Sequence, residues 1–502
     1  MIDWFRFQSF GMRSPLFLLL CALSFCSLSS SMIQASATDG GNLKVFVDLQ
    51  GGEFFPTEGP WNPRAYPRVT VYNAVLGHLV NMTAEGKVVP ALLQSWSRNE
   101  SSKRFSLKLQ SNLVFHDGRP VEAEDLRFSL MRHLNSSEET PERANIEDIE
   151  EVRILNELEV EVVLKNPNPF FVGRLSMSGL SLVPREHLLE DGLRWKSYPV
   201  GAGPYRVVKL DERNLILAST GSFPSAHPDR PKRIHLTSDL STTDAELVLG
   251  SNDLSHGEDL SLEVLNVPAR IYAIAFNFRS SLGSSQDFRE AVSLVLNRAA
   301  LAERSSHSRP STWLIPERLV ARDLAPEERM DGARAKQIFE KLGIKSLDIP
   351  IYVKDPHPWM VELQGQFEAS GVELRFRQAN MRLFDPADER SPFWLIGWMP
   401  NVADALVIFE IFKDGGPYVA NSGLEDAEYL RLLERARSEA DPERREQAVR
   451  RLAEHFNGVH RVIPLFEEQV AYPRCTRVVR QISDPLQEQS ILFHRIQINS
   501  AR

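Results

Sequence analysis

The sequence predicts a layered fold of mixed strands and helices, α/β or α+β, on three observations. Short runs such as Phe105-Ser106-Leu107-Lys108-Leu109 alternate apolar and polar residues at the period of a half-buried strand. Elsewhere apolar residues recur three and four positions apart behind acidic caps, as amphipathic helices require. Hydrophobic residues make up 42% and charged residues 25% of 502, a composition that excludes wholesale disorder and a fibrous chain. At about 150 residues per domain this length suggests about three folding units, or two large ones.

The elements follow in order. Arg6 and Arg13 precede the apolar run Pro15-Leu16-Phe17-Leu18-Leu19-Leu20-Cys21-Ala22-Leu23, and Ala35-Ser36-Ala37 closes a Ser-rich stretch. Basic start, short apolar centre and small-x-small end describe a cleavable export signal over residues 1–37. The run falls short of the roughly 20 apolar residues of a spanning helix. Retention as a membrane anchor is the competing reading. A lipid anchor at Cys26 is disfavoured by the bulky Phe25 before it.

Leu43 to Val47 reads as an opening strand, 105–109 and 160–164 as later ones. Between them Leu126, Leu130 and Leu134 share one face of a helix. Asp287 is expected to cap a helix burying Phe288, Val292, Val295 and Ala299. Asp331 is expected to cap another, with Ala335, Ile338, Phe339 and Leu342 inward and Gly343 ending it. Val372, Leu374 and Phe376 mark a short strand, and Asp441-Pro442 opens a helix burying Val449, Leu452 and Phe456.

The net charge of -9, with basic residues interleaved among acidic ones, argues against a nucleic-acid partner. Three cysteines, Cys21, Cys26 and Cys475, leave no zinc module or disulfide scaffold. His455 and His460 are five apart and do not share a helix face, and His116 in Phe115-His116-Asp117-Gly118 reads as a turn residue. There is no GxSxG and no Walker loop, and Gly201-Ala202-Gly203-Pro204 reads as a tight structural turn. No catalytic residue, metal ligand or cofactor site is therefore assigned. Aromatic residues are the candidates instead. Phe54 and Phe55 follow the first strand, and Trp398 ends the run Phe393-Trp394-Leu395-Ile396-Gly397-Trp398 where a strand feeds a loop. Open α/β sheets bind ligands at such strand ends.

The order of motifs resembles the family 5 extracellular solute-binding proteins, the dipeptide and oligopeptide receptors of ABC importers. Val89-Pro90-Ala91-Leu92-Leu93-Gln94-Ser95-Trp96 is similar to that family's P-x-LAxSW segment. Leu113 to Leu126, running through Phe115-His116-Asp117-Gly118 and Ala123-Glu124-Asp125, resembles V-x-FHDG-x-P-x-TAEDV. Pro199-Val200-Gly201-Ala202-Gly203-Pro204-Tyr205 resembles P-V-GTGPY, and Gly397-Trp398 and Ile463-Pro464-Leu465 resemble its late landmarks.

The resemblance implies an α/β, two-lobed periplasmic-binding-protein-like fold of class II type, with an extra α+β subdomain in lobe I. Lobe I would span 38–266, with the subdomain at about 69–170, lobe II 267–477, and 478–502 would return to lobe I. Hinge closure would trap a small ligand, foremost an oligopeptide, between the lobes for an ABC permease in the inner membrane. The location implied is periplasmic, the state monomeric, with no enzyme activity. A sugar or chelated metal is the alternative ligand, and an exported hydrolase the alternative class.

Trp398, and Phe54 or Phe55 as one cleft wall, are the ligand contacts expected from the aromatic residues, and the resemblance adds Asn401 and Asp404. Peptide receptors of this family carry an aspartate where Asn401 stands, paired with the peptide's α-ammonium. Asn401 has no charge, and Asp404 is the acidic residue next in line.

Overall fold

The computed structural model describes residues 41–49, 52–55, 68–83, 87–138, 140–221, 223–224, 226–264, 270–314, 328–351, 356–378, 391–398, 404–412, 426–469, 471–479 and 491–499. The expected export signal and Asn401 lie outside them. Among the described residues, no helix is long and apolar enough to cross a membrane.

Asn42–Val47 is the middle of a seven-stranded sheet, parallel to Arg233–Thr237 on one side and to Leu247–Leu249 on the other. Leu43, Val45, Phe46 and Val47 are all at most 1% exposed, the near-continuous burial that a central parallel strand needs. Asn214–Ser219 and Tyr205–Leu210 extend the sheet on the first side, Ala471–Arg474 and Ser261–Val264 on the second.

A second sheet is antiparallel, with strands Leu93–Arg98, Arg104–Leu109, Glu159–Leu164 and Ile149–Asn156 in that order. In Arg104–Leu109 the burial alternates as the sequence does: Phe105, Leu107 and Leu109 inward, Arg104 and Lys108 outward. The helix Ala123–Asn135 belongs to the same core and buries Leu126 and Leu130 completely. Each such leucine contributes about 1.5–3 kcal/mol relative to exposure.

The Phe115-His116-Asp117-Gly118 motif has a structural task here. Gly118 takes φ +96°, and Arg119 reaches forward to Asp125 at 2.7 Å. Asp125 also accepts the Glu122 amide at 2.9 Å, completing a capping box at the helix start. His116 is more than a surface turn residue: it is half-buried, and its Nε2 lies 3.0 Å from the Gly203 carbonyl. Gly203 in turn sits where a Cβ would meet the Val75 carbonyl oxygen at 2.5 Å, which explains the glycine in that turn.

The third sheet runs Ser308–Pro310, Val462–Glu468, Arg270–Phe276, Phe393–Trp398, all antiparallel neighbours. Helices Gln286–Val295 and Gly332–Lys341 share an apolar cluster with one of its faces. The first helix is capped by Ser285, whose Oγ accepts the Phe288 amide, and not by Asp287 as expected. Asp287 instead lies in the first turn, where its charge still favours the helix dipole. Asp331 and Asp441 cap their helices as read, each accepting an amide at 2.9 Å. A parallel pair, Ser346–Ile351 with Glu373–Gln378, completes this unit.

The chain leaves the first sheet after Val264 and enters the third at Arg270; it leaves the third after Glu468 and rejoins the first at Ala471. The return thus falls earlier than the expected passage near Val478. Ala471–Arg474 belongs with the first sheet because its residues ladder with Ser261–Val264.

Candidate functional site

The faces of the third sheet divide the candidate residues. Tyr272, Ile274, Phe276 and Phe393 face the cluster with the two capped helices. Ile271, Ala273, Ala275 and Trp398 belong to another cluster. That second cluster also holds Phe105, Leu107 and Phe171 from the region of the second sheet, and Phe409, Leu452 and Phe456 from helices Leu406–Ile411 and Pro442–Gly458. Trp398 is 8% exposed and pairs with Ile271 one step from the Arg270–Glu468 pair. It therefore lies at the end of the sheet where the chain crosses between sheets.

Polar groups surround that end. Arg270 Nη1 is 3.8 Å from Glu468, both side chains part-exposed, and Ser305 Oγ donates to Glu468 at 3.0 Å. Arg309 holds the buried Glu467 at 2.9 Å. Gly397 sits against Arg270 and Tyr272, where a Cβ would come within 2.9 Å of Arg270 Cδ. Sequence reading passed over Arg270, Tyr272 and Glu468, because a charged residue in a strand carries no sign of its neighbours.

Phe54 and Phe55 are 1% and 4% exposed and lie in the core of the first sheet with Val71, Tyr72 and Val75. Phe55 meets the Tyr72 ring edge-on at 5.3 Å. Both phenylalanines are buried there, in a different cluster from Trp398.

Asp404 is also committed inside the molecule. Arg445 Nη2 donates to it at 2.6 Å, Arg174 Nη2 stands at 3.8 Å, and its Oδ1 accepts the Leu406 amide at 3.0 Å. Burial would push the carboxyl up, but Arg445 and Arg174 beside it hold it below the usual carboxylate range. Glu410 accepts Arg174 Nη2 at 2.7 Å and Arg437 Nε and Nη2 at 3.0 and 2.9 Å, all on one oxygen. Arg437 Nη1 goes on to Asp148 at 2.9 Å. The Arg445 guanidinium lies 3.7 Å over the Phe170 ring. Three arginines thus meet three carboxylates in a buried seam. Asp148, Phe170 and Arg174 come from the region of the second sheet; Asp404, Glu410, Arg437 and Arg445 come from the segment between the two crossings.

Among the described residues, no group of three His, Cys, Asp or Glu could hold a metal ion. Cys475 is half-buried, and the arginines beside it are taken up by carboxylates: Arg474 by Glu263 and Arg477 by Glu246.

Separate sheets joined by two passages, with an inserted segment and an additional antiparallel subdomain, define the two-lobed α/β binding-protein class. A family profile described as bacterial extracellular solute-binding proteins, family 5 (middle), matches residues 87–418. The chain belongs to this family of transport proteins. The nickel-binding periplasmic protein of Escherichia coli K12 is 22% identical over 398 residues, covering 74% of this chain and 73% of the relative. The probable D,D-dipeptide-binding periplasmic protein of the same organism is 23% identical over 386 residues, 70% and 74% of the two chains. Among solved structures, AgaA of A. tumefaciens R10 with agropinic acid superimposes with TM-score 0.77 at 18% identity over 92% of this chain and 99% of that one. DppA of Helicobacter pylori with the peptide STSA gives TM-score 0.76 at 15% identity, over 91% and 98%.

Proposed function

We propose that the protein is an exported, periplasmic receptor that closes its two lobes over a small solute, foremost an oligopeptide, and delivers it unaltered to an ABC permease in the inner membrane. Trp398 carries the reading: it lies at the crossing end of the third sheet, on the face turned toward the subdomain, with the Arg270–Glu468 pair one register step away on the opposite face. An aromatic wall at a strand end beside the crossing suits a ligand with an apolar body. Two crossings permit a hinge, and a ligand touching both lobes favours the closed state by its differential affinity.

The seam supports a revision of the acidic contact. Asp404 is neutralised by arginines of its own chain, so it is not offered to a ligand amine, and Glu467, the acidic residue in register with Trp398 across Ile271, is held by Arg309. With Asn401 uncharged as well, a ligand without a free α-ammonium is the second reading. Nickel- and agropinic-acid-binding relatives accompany it.

Mass spectrometry of the solute released from gently purified protein tests both. A peptide supports the first reading, a sugar or metal chelate the second. Turnover of the solute by the protein would refute the receptor role. Asn401→Asp should tighten amine-terminated peptides, measured by calorimetry; unchanged affinity removes the argument from Asn401.

A further inference from the structure

The other end of the third sheet holds a cavity of about 340 Å³. Ser293, Arg298, Thr312, Arg329, Asn457 and His460 line it, over the start of strand Val462–Glu468. That start pairs with Ala275, while the far end of the strand pairs with Arg270 at the crossing. At about 3.3 Å per residue the two ends stand about 20 Å apart. The cavity is therefore separate from the surroundings of Trp398.

Its lining carries polar side chains with spare hydrogen-bonding capacity. Arg298 is 4% exposed; its Nε donates to the Pro464 carbonyl at 2.8 Å, and its Nη1 is only within 3.7 Å of Glu328. Glu328 also accepts the Arg298 amide, so the carboxylate is shared. Arg329 forms no hydrogen bond or ion pair with any described residue. The Nδ1 of His460 is buried without a partner. The side chains of Asn457, Ser293 and Thr312 likewise bond to no described residue. Of the charges around the cavity, Arg289, Glu290 and Arg298 act on His460, the two arginines against the glutamate, and Glu328 stands beside Arg298. A guanidinium offers donors only, so the donors that Arg298 and Arg329 have to spare suit an anion's oxygens.

We propose that this cavity binds a small molecule through an oxyanion, a carboxylate or a phosphate group. Arg329 and Arg298 would supply the charge, with His460, Asn457 and the two hydroxyls satisfying the remaining oxygens. The volume lies at the lower end of small-molecule sites, about 300–1,000 Å³, so there is room for a body behind the anionic group.

Titration calorimetry of the full chain with inorganic phosphate and, separately, with succinate tests this. Saturable binding of at least one in the millimolar range or tighter is expected, and whichever binds better names the oxyanion. Arg329→Gln should weaken it tenfold or more. Arg329 is exposed and has no described partner, so the variant should unfold at the wild-type temperature. His460→Asn, which keeps a residue type tolerant of the left-handed backbone at φ 49°, should weaken binding in the same direction. Absence of saturable binding by both anions, or a loss below tenfold in Arg329→Gln, overturns the proposal. So does loss of anion binding in Trp398→Ala, which would place the anion at the crossing end instead.

Discussion

Glu410→Gln is the sharpest probe of the buried seam. The side chain keeps its shape and loses its charge, while Arg174 and Arg437 keep theirs. In the native protein both guanidiniums share one Glu410 oxygen at 2.7–3.0 Å. Unit charges 3 Å apart at an effective dielectric of 20 interact by about 5 kcal/mol before desolvation is counted. After substitution Arg437 still has Asp148 at 2.9 Å, while among the described residues the carboxylate left within 4 Å of Arg174 is Asp404 at 3.8 Å. Breaking a buried pair costs about 3–5 kcal/mol, and the surviving partners place this case near the lower end, about 3 kcal/mol. Urea unfolding followed by circular dichroism should show that loss. The seam joins the subdomain to the inserted segment, so the loss falls on the closed form if the lobes part there. Apparent solute affinity would then fall by up to about 100-fold. Replacing the hub by apolar residues, Glu410→Leu with Arg174→Met and Arg437→Met, together with Asp148→Asn so that the carboxylate paired with Arg437 is not stranded, should recover most of the stability. A Glu410→Gln protein within about 1 kcal/mol of wild type, with unchanged affinity, would refute the reasoning.

Trp398→Ala should weaken solute binding more than it lowers the melting temperature; a large stability loss with unaltered affinity would mark Trp398 as core alone. Gly203→Ala should destabilise by about 1–3 kcal/mol, because the new methyl meets Val75 O at 2.5 Å and Gly77 N at 2.6 Å, both backbone atoms; unfolding at the wild-type midpoint would contradict this. Stability should fall as pH drops from about 6.5 toward 4. Burial lowers His116 to about 4 and His494 to about 3, so the unfolded chain binds protons there that the native fold does not, and stability rises with pH across that window. The slope is at most about 1.4 kcal/mol per pH unit for each histidine, and His494→Gln should flatten it. The Asp404 carboxyl acts lower: its contribution is complete above 3.8 and lost only as pH falls through its depressed value.

The sequence by itself determined the local elements and the family. Alternation in 104–109, the leucine face of 123–135 and the caps at Asp331 and Asp441 are decided within a few residues, where backbone hydrogen bonding and side-chain period act. At His116 only the turn was legible; its contact with the Gly203 carbonyl, 87 positions on, was not. The cap at Ser285 was missed because serine and aspartate two residues apart offer the same chemistry, and only the backbone angle at Ser285 chooses between them. Tertiary structure alone decided the fate of the acidic candidate. Asp404 looks free in its own segment, yet it meets Arg445, 41 positions on, and Arg174 from the subdomain. Glu410 and Arg174 are 236 positions apart, and Arg437 and Asp148 289. Nothing local records such partners, because a charge is satisfied by whichever opposite charge the packed faces bring within 3 Å, and that follows from how the chain passes twice between its sheets.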